Sequence, residues 1–257
     1  MRLDLYLFEK GLAKSRSYAK TLIAEEYVTV NGKTANKPSI DVSDADTVIV
    51  TGAPYSYVSR GGVKLEAVLD AFNIDVKDFI CVDIGASSGG FTDCLLQKGA
   101  GKVYAVDSGY GQLDSTLACD KRVVNIENFN ARNLSIETLG EPCDIAVTDV
   151  SFISQTLIIP AAVKVLKKGA VYASLIKPQF ECGRGGLGKG GIVKNKKVMA
   201  DSVKKVIDCA VSNGLSCRGL IPSPIKGGDG NTEFLMYCVL DGDNFIGEKD
   251  IREAVGL

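Results

Sequence analysis

The sequence predicts an α/β fold: a mainly parallel sheet with helices on both faces, closed by an antiparallel strand pair and preceded by a small α+β unit. Three observations predict it. From residue 61 onward, short apolar runs alternate with amphipathic stretches, the pattern of repeated βα units. The last two apolar runs, near Leu215–Ile221 and Glu233–Leu240, are joined by the Pro- and Gly-rich loop Pro222–Gly230, which fits an antiparallel pair. Before residue 50 the pattern is different: two short helical stretches, then strand residues that run into Asn31-Gly32, a hairpin-turn signal.

In the first unit, Leu3, Leu5, Leu7 and Phe8 predict a short helix. A second is predicted over Ser15–Ile23, with Ser15 as N-cap and Ala19, Leu22 and Ile23 as its apolar stripe. Tyr27–Lys33 reads as a strand entering a turn, and Thr47–Val50 as a closing strand. Between residues 2 and 37 there are seven Lys/Arg and four Asp/Glu, a local excess of +3 in a chain of net charge −1. Any pull on nucleic acid must therefore be local. Gly52–Arg60 carries Gly, Pro, Ser and Tyr between two apolar patterns and reads as a linker.

In the second unit, Val63–Phe72 is a predicted helix, with Leu65, Val68, Leu69 and Phe72 on one face. Strands follow at Phe79–Ile84, Val103–Asp107, Val123–Ile126, Ile145–Asp149 and Ala170–Ile176, with helices over 91–98, 156–166 and Val193–Asn213. Sheets of this kind bind ligands beyond the carboxyl ends of their strands, where the winding reverses. The residues just after each strand are therefore the ones that matter.

Composition narrows the chemistry. The 257 residues suffice for one large domain and a small one. The N-terminus has no signal-peptide pattern and no apolar run reaches membrane-spanning length, so a cytoplasmic protein is expected. Eight cysteines lack C-x-x-C spacing, and histidine is absent. A metal site is not expected, and every histidine-dependent hydrolase is excluded. Acid–base work falls to Lys, Asp, Glu, Tyr or Cys.

The stretch Asp83-Ile84-Gly85-Ala86-Ser87-Ser88-Gly89-Gly90-Phe91 ends the first strand of the large unit in a glycine-rich turn and opens a helix. A dinucleotide turn wants G-x-G-x-x-G, and Ser87 stands at its second glycine. A carboxylate at Asp83 suits a ligand that bears an ammonium and a sulfonium, as S-adenosylmethionine does, better than a pyrophosphate. Asp107, at the end of the next strand, is placed for ribose hydroxyls. Glu127–Arg132, with Asn128 and Asn130, is placed for an adenine edge.

Lys177 follows an apolar strand directly, Asp149 ends the neighbouring strand, Glu233 begins the last one, and Lys64 lies on the helix before the first. Two lysines and two carboxylates, three of them at strand ends, form a constellation suited to deprotonating a hydroxyl for attack on a methyl group. Gly183–Lys197 contains six glycines, five Lys/Arg and no acidic residue, a basic loop suited to phosphates, with Arg184 and Lys189 in it.

Two family resemblances attach to these residues. Arg2-Leu3-Asp4, Gly11-Leu12-Ala13, Ser15-Arg16, Ala19, Leu22-Ile23 and Val28-x-Val30-Asn31-Gly32-Lys33 resemble the small RNA-binding module named after ribosomal small-subunit protein four. That resemblance implies Arg2, Lys14, Arg16, Lys20 and Lys33 as RNA-facing residues. Glu26 departs from it, standing where the module has glycine before the strand.

The second resemblance covers nearly the whole chain. Ser59-Arg60-Gly61-Gly62-x-Lys64-Leu65, Asp83–Asp93, Asp149–Ser154, Lys177–Glu181 and Gly230-Asn231-x-Glu233-Phe234 resemble the TlyA family, ribosomal RNA 2′-O-methyltransferases of the FtsJ/RrmJ type, often labelled haemolysin A. It implies a Rossmann-like class I methyltransferase sheet and a Lys64–Asp149–Lys177–Glu233 tetrad with Lys177 as base. It also implies S-adenosylmethionine at Asp83, Gly85, Ala86, Ser87, Gly89, Gly90, Phe91, Asp107, Asn128 and Asn130, and a cytidine ribose of ribosomal RNA or a ribosomal subunit as acceptor. Tyr55-Ser56-Tyr57-Val58 departs from an Arg-x-Trp-Val linker, and Phe129 from a usual Thr. The implied domains are 1–51 for RNA binding, 52–60 as linker, 61–242 for methyl transfer and 243–257 as a C-terminal tail. Competing readings are an RNA-binding assembly factor without turnover, a literal haemolysin and a NAD-dependent dehydrogenase.

Overall fold

The computed structural model describes residues 1–13, 15–24, 26–52, 56–243 and 246–257, without the side chains of Ser17 and Arg184. Lys14, the side chain of Arg184 and linker residues 53–55 therefore lie outside the described residues. The chain divides into two compact units, Met1–Ser59 and Arg60–Leu257.

The first unit holds α1 (Leu3–Glu9), α2 (Arg16–Ala24), β1 (Val28–Val30), β2 (Lys33–Thr34) and β3 (Val48–Val50). Ser15 caps α2 by accepting from the Tyr18 N–H at 3.1 Å. Asn31 and Gly32 both have positive φ, 52° and 76°, which closes the β1–β2 hairpin with the twist the strands require. The antiparallel sheet runs β2-β1-β3. Leu3, Leu7, Leu22, Ile23 and Val28 fill the core beneath it. At the end of α2, Tyr27 N–H donates to Leu22 O and Glu26 N–H to Ile23 O, while Glu26 itself has φ 63°. That is a Schellman termination with glutamate in the glycine position.

The second unit continues with α3 (Gly61–Ala71), β4 (Ile80–Ile84), α4 (Gly90–Gln97), β5 (Lys102–Val106), α5 (Ser115–Ala118), β6 (Val123–Ile126), α6 (Ile136–Leu139) and β7 (Cys143–Thr148). Then come α7 (Ile159–Val163), β8 (Leu166–Ile176), α8 (Pro178–Glu181), α9 (Lys196–Ser212), β9 (Leu215–Pro222), β10 (Phe234–Leu240) and α10 (Glu248–Val255). Seven strands are ordered β6-β5-β4-β7-β8-β10-β9. β4 to β8 are parallel, and β10 runs antiparallel to both β8 and β9. From β4 the chain winds to one side through β5 and β6, then crosses to β7 on the other, so β4 marks the switch point where a crevice opens.

Two expectations are corrected. The predicted helix over 156–166 is shorter. Pro160 is tolerated only in a first helical turn, so α7 starts at Ile159, and Leu166 already belongs to β8. The predicted tail 243–257 contains α10, whose Ile251 and Val255 join the main core and whose Asp250 accepts from the Gly247 N–H at 2.8 Å.

Candidate active site

β4 delivers the chain to Gly85, which has φ 85°. A Cβ there would lie 2.9 Å from Asp149 O and 3.0 Å from Val150 Cγ1, so only glycine lets this turn pack against the end of β7. Ser87 also has positive φ, 48°, and its N–H donates to Asp107 Oδ2 at 2.8 Å. The other Asp107 oxygen accepts from the Gly109 N–H at 2.7 Å. One carboxylate at the end of β5 thus ties the glycine-rich turn to its own loop. Beside it lies a cavity of about 350 Å³, within the range of small-molecule sites.

Of the expected cofactor residues, Gly85, Ser87, Asp107 and Asn130 line this cavity, together with Phe129 and Asp149. Asn130 Oδ1 accepts from Arg132 N–H and Nε–H at 3.1 and 3.2 Å. Gly90 and Phe91 form the first turn of α4; they, Ala86, Gly89 and Asn128 are off the wall. Asp83 is off it too, fully buried, with Oδ2 accepting from Thr92 Oγ1 at 2.7 Å. Its Oδ1 has no hydrogen-bond partner among the described residues. Burial pushes this carboxyl up to about 7; the Thr92 hydrogen bond opposes that, and the negative charges of Asp149 and Asp107 add to it. An acidic acceptor for a diol, an apolar wall and an uncompensated buried carboxylate fit a cationic nucleoside such as S-adenosylmethionine. Among the described residues no three His, Cys, Asp or Glu gather as a metal would require.

The adjacent strands β7, β8 and β10 bring three reacting-group candidates to one rim. Phe234 pairs with Ile176, which sets Glu233 and Lys177 side by side at neighbouring strand ends. Lys177 Nζ lies 2.6 Å from Asp149 Oδ1. The ammonium also donates to Ser151 Oγ at 2.8 Å. Lys64 reaches in from α3, its Nζ 2.6 Å from Glu233 Oε2, with both residues buried. The four residues are thus two ion pairs.

Sequence reasoning missed the groups that hold this rim. Gln155 is buried; it accepts from Thr148 Oγ1 and Tyr172 OH and donates to Leu175 O, locking β7 to β8. The buried carboxylate of Glu181 accepts from the Gln155 N–H, Ser154 Oγ and Lys205 Nζ. Between these anchors and Asp149 the chain carries Phe152, 92% exposed and with φ 62°. A bulky residue pays for that conformation, and such outliers gather at working sites. Its ring lies 5.1 Å from that of Phe180. Positive φ and solvent-facing apolar surface leave no mark in a sequence, whereas the polar residues scattered after β7 (Asp149, Ser151, Ser154, Gln155) were a signal available to find Ser151 and Gln155.

Comparison with known proteins settles the family. Residues 57–239 match the FtsJ-like methyltransferase model. The chain belongs to the FtsJ-like methyltransferase family. Residues 1–48 match the S4 domain. YqxC of Bacillus subtilis, provisionally called an rRNA methyltransferase, is 46% identical over 256 residues, covering 99% of this chain and 91% of the relative. The 16S/23S rRNA (cytidine-2′-O)-methyltransferase TlyA of Mycobacterium tuberculosis is 41% identical over 255 residues, 99% of this chain and 95% of the relative. A solved Streptococcus thermophilus structure, provisionally called a hemolysin, matches with TM-score 0.81 at 40% identity over 100% of this chain and 94% of its own.

In the S4 domain of this methyltransferase, two of the basic candidates prove to be a structural pair. Asp4 is fully buried, and its two oxygens accept from Arg2 Nε and Arg16 Nη2, both at 2.9 Å. The Arg2 and Arg16 hydrogen bonds hold the Asp4 carboxyl down to about 2 against the opposing effect of burial. Both arginines stay half exposed. Lys20 and Lys33 are exposed, as is Lys189 in the loop after Lys177. No helix among the described residues is long and apolar enough to cross a membrane.

Proposed function

We propose that the chain is an S-adenosylmethionine-dependent methyltransferase acting on the ribose 2′-hydroxyl of a cytidine in ribosomal RNA, presented as RNA or as a ribosomal subunit in the cytoplasm. The observation that carries this reading is the rim: Lys177 against Asp149 and Ser151, and Lys64 against Glu233, beside the cavity at the β4 switch point. The full-length relationship to a cytidine-2′-O-methyltransferase supports the acceptor.

Gly85, Ser87, Asp107 and Asn130 would hold S-adenosylmethionine, which when bound supplies an electrophilic methyl group. Lys177 takes the proton of the ribose hydroxyl at Nζ as the oxygen attacks. It must enter that step as the neutral amine, and the Asp149 carboxylate then holds the ammonium that forms. Ser151 fixes where Nζ points. The Lys64–Glu233 pair places a second cation at the rim without leaving an unpaired buried charge. Phe152 offers an aromatic face to the acceptor base. In this reading residues 1–51 deliver RNA, 52–60 link and 61–242 transfer the methyl group; the division of the chain into Met1–Ser59 and Arg60–Leu257 supports a boundary near residue 60.

The test is methyl transfer to purified ribosomal subunits, with ribose methylation mapped by mass spectrometry. Lys177→Ala is expected to lower kcat by about a thousandfold with cofactor affinity retained. Transfer at the wild-type rate would remove Lys177 from the mechanism. Calorimetry in which NAD binds and S-adenosylmethionine does not would remove the cofactor.

A further inference from the structure

We infer that Asn231 is a positioning residue: its buried amide latches the glycine- and lysine-rich loop to the segment before β10 that carries Glu233. Lysines flanking the latch then meet the RNA backbone from a fixed place. The inference rests on the RNA-methylation reading above.

Asn231 is 1% exposed. Its Oδ1 accepts from the Val193 N–H at 2.9 Å, and its Nδ2 donates to Gly191 O at 3.1 Å. The side chain thus pairs with two backbone groups two residues apart, as a neighbouring strand would. One side chain of the loop, Val193, is buried in the main core, so the latch acts on the glycine-rich stretch that leads into it. Gly190 and Gly191 both have φ 74°, and its internal bonds are Gly191 N–H to Gly188 O and Gly188 N–H to Ile192 O. Lys189 and Lys194 are exposed and flank the latched residues.

The other side of the latch is rigid. Asn231 O accepts from the Gly227 N–H at 2.9 Å, and Glu233 O accepts from the Ser223 N–H at 2.8 Å. Gly227 packs so closely that a Cβ there would lie 2.5 Å from Glu233 Oε1. One turn therefore closes over the Glu233 carboxylate and carries the latch. Glu233 does not depend on Asn231 for its own place, because Phe234 pairs with both Ile176 and Pro222. Loss of the latch should fall on the loop and spare the rim.

That asymmetry gives a test that a merely structural asparagine would not pass. In full-length Asn231→Ala the KM for RNA is expected to rise on the order of tenfold, and kcat to stay within about twofold. The dependence of KM on salt should become shallower, because fewer lysines reach phosphates. Trypsin should cut faster at Lys189 and Lys194, and calorimetry should give unchanged S-adenosylmethionine affinity. Asn231→Asp keeps the acceptor for Val193 N–H but sets a buried carboxylate oxygen against Gly191 O, so it should shift the same way by at least as much. A folded Asn231→Ala protein with the wild-type KM, salt slope and cleavage rate overturns the latch. So does failure of both variants to fold, which would make Asn231 a folding residue. If the wild-type protein itself transfers no methyl group to RNA, the parent reading fails, while the cleavage rate still reports on the latch.

Discussion

Asp4 in the small unit and Asp83 in the large one are equally hidden from solvent, yet their carboxyls sit on opposite sides of the usual range. Asp4 is held down to about 2 between Arg2 and Arg16, and Asp83 is pushed up to about 7 with one hydroxyl partner, Thr92. Burial raises the carboxyl in both places, far more at Asp83, deep in the large unit, than at Asp4 just beneath the surface, and the company differs too. The small unit closes its charge account internally and shows two half-exposed guanidiniums to solvent. In the large unit the buried carboxyl of Asp83, before the glycine-rich turn, has no cation partner among the described residues, and two further carboxylates, Asp107 and Asp149, lie near it. The first arrangement supports a surface for RNA; the second favours a positively charged ligand.

The largest effect that sharpens this contrast is at Asp83. Its folded-state carboxyl titrates above its unfolded value of 3.8, so the folded protein binds more protons between about pH 4 and 7. Stability therefore falls as pH rises through that window, and levels off above it. A rise from 3.8 to about 7 corresponds to up to about 4 kcal/mol, at about 1.4 kcal/mol per unit. Asp83→Asn removes the slope, so hydrogen exchange of β4 and β5 amides should show the variant gaining on wild type from pH 4 to pH 7. Parallel profiles would mean that Asp83 titrates normally.

At Asp4 the sign reverses. A depressed carboxyl contributes stability that is present above about pH 4 and lost as pH falls towards about 2. Asp4→Asn leaves Arg2 and Arg16 without their common acceptor charge. The expected loss at pH 7 is about 1–2 kcal/mol, reduced because both guanidiniums are half in water. It should appear in exchange of α1 and β1 amides and vanish near pH 2. An unchanged small unit at pH 7 would break the comparison at its better-paired end.

The same contrast shows what the sequence could reveal. Glycines, apolar runs and residues at strand ends are local signals, so the turn at Gly85 and the approach of Asp149, Lys177 and Glu233 were legible once a parallel sheet was inferred. The four-residue helices α5, α6 and α8 are too short to carry a period, and such helices form only through tertiary contacts. Asp4 was legible as part of a motif but not as the acceptor for both arginines. Ser151, Gln155, Glu181 and Asn231 act across chain separations from 7 to 40 residues, and no spacing rule connects them to their partners.

Backbone strain carries the comparison one step further. Glu26 and Phe152 both hold positive φ, 63° and 62°, one at a helix end in the small unit and one on the cavity wall of the large. At Glu26 the conformation serves only to terminate α2, a place glycine fills without a Cβ penalty. The left-handed conformation costs a residue with a Cβ roughly 1–2 kcal/mol, and the extra unfolded-chain entropy of glycine takes back part of the gain. Glu26→Gly should therefore stabilise the small unit by roughly 0.5–1 kcal/mol, read by hydrogen exchange at Tyr27 and Val28, with methyl transfer unchanged. The matching change, Phe152→Gly, relieves the same kind of strain but removes the exposed ring, so it should cost activity while leaving the fold intact. If Glu26→Gly slowed methyl transfer as much as Phe152→Gly, the strain at the helix end would be functional too, and the division between a self-contained unit and a ligand-dependent one would fail.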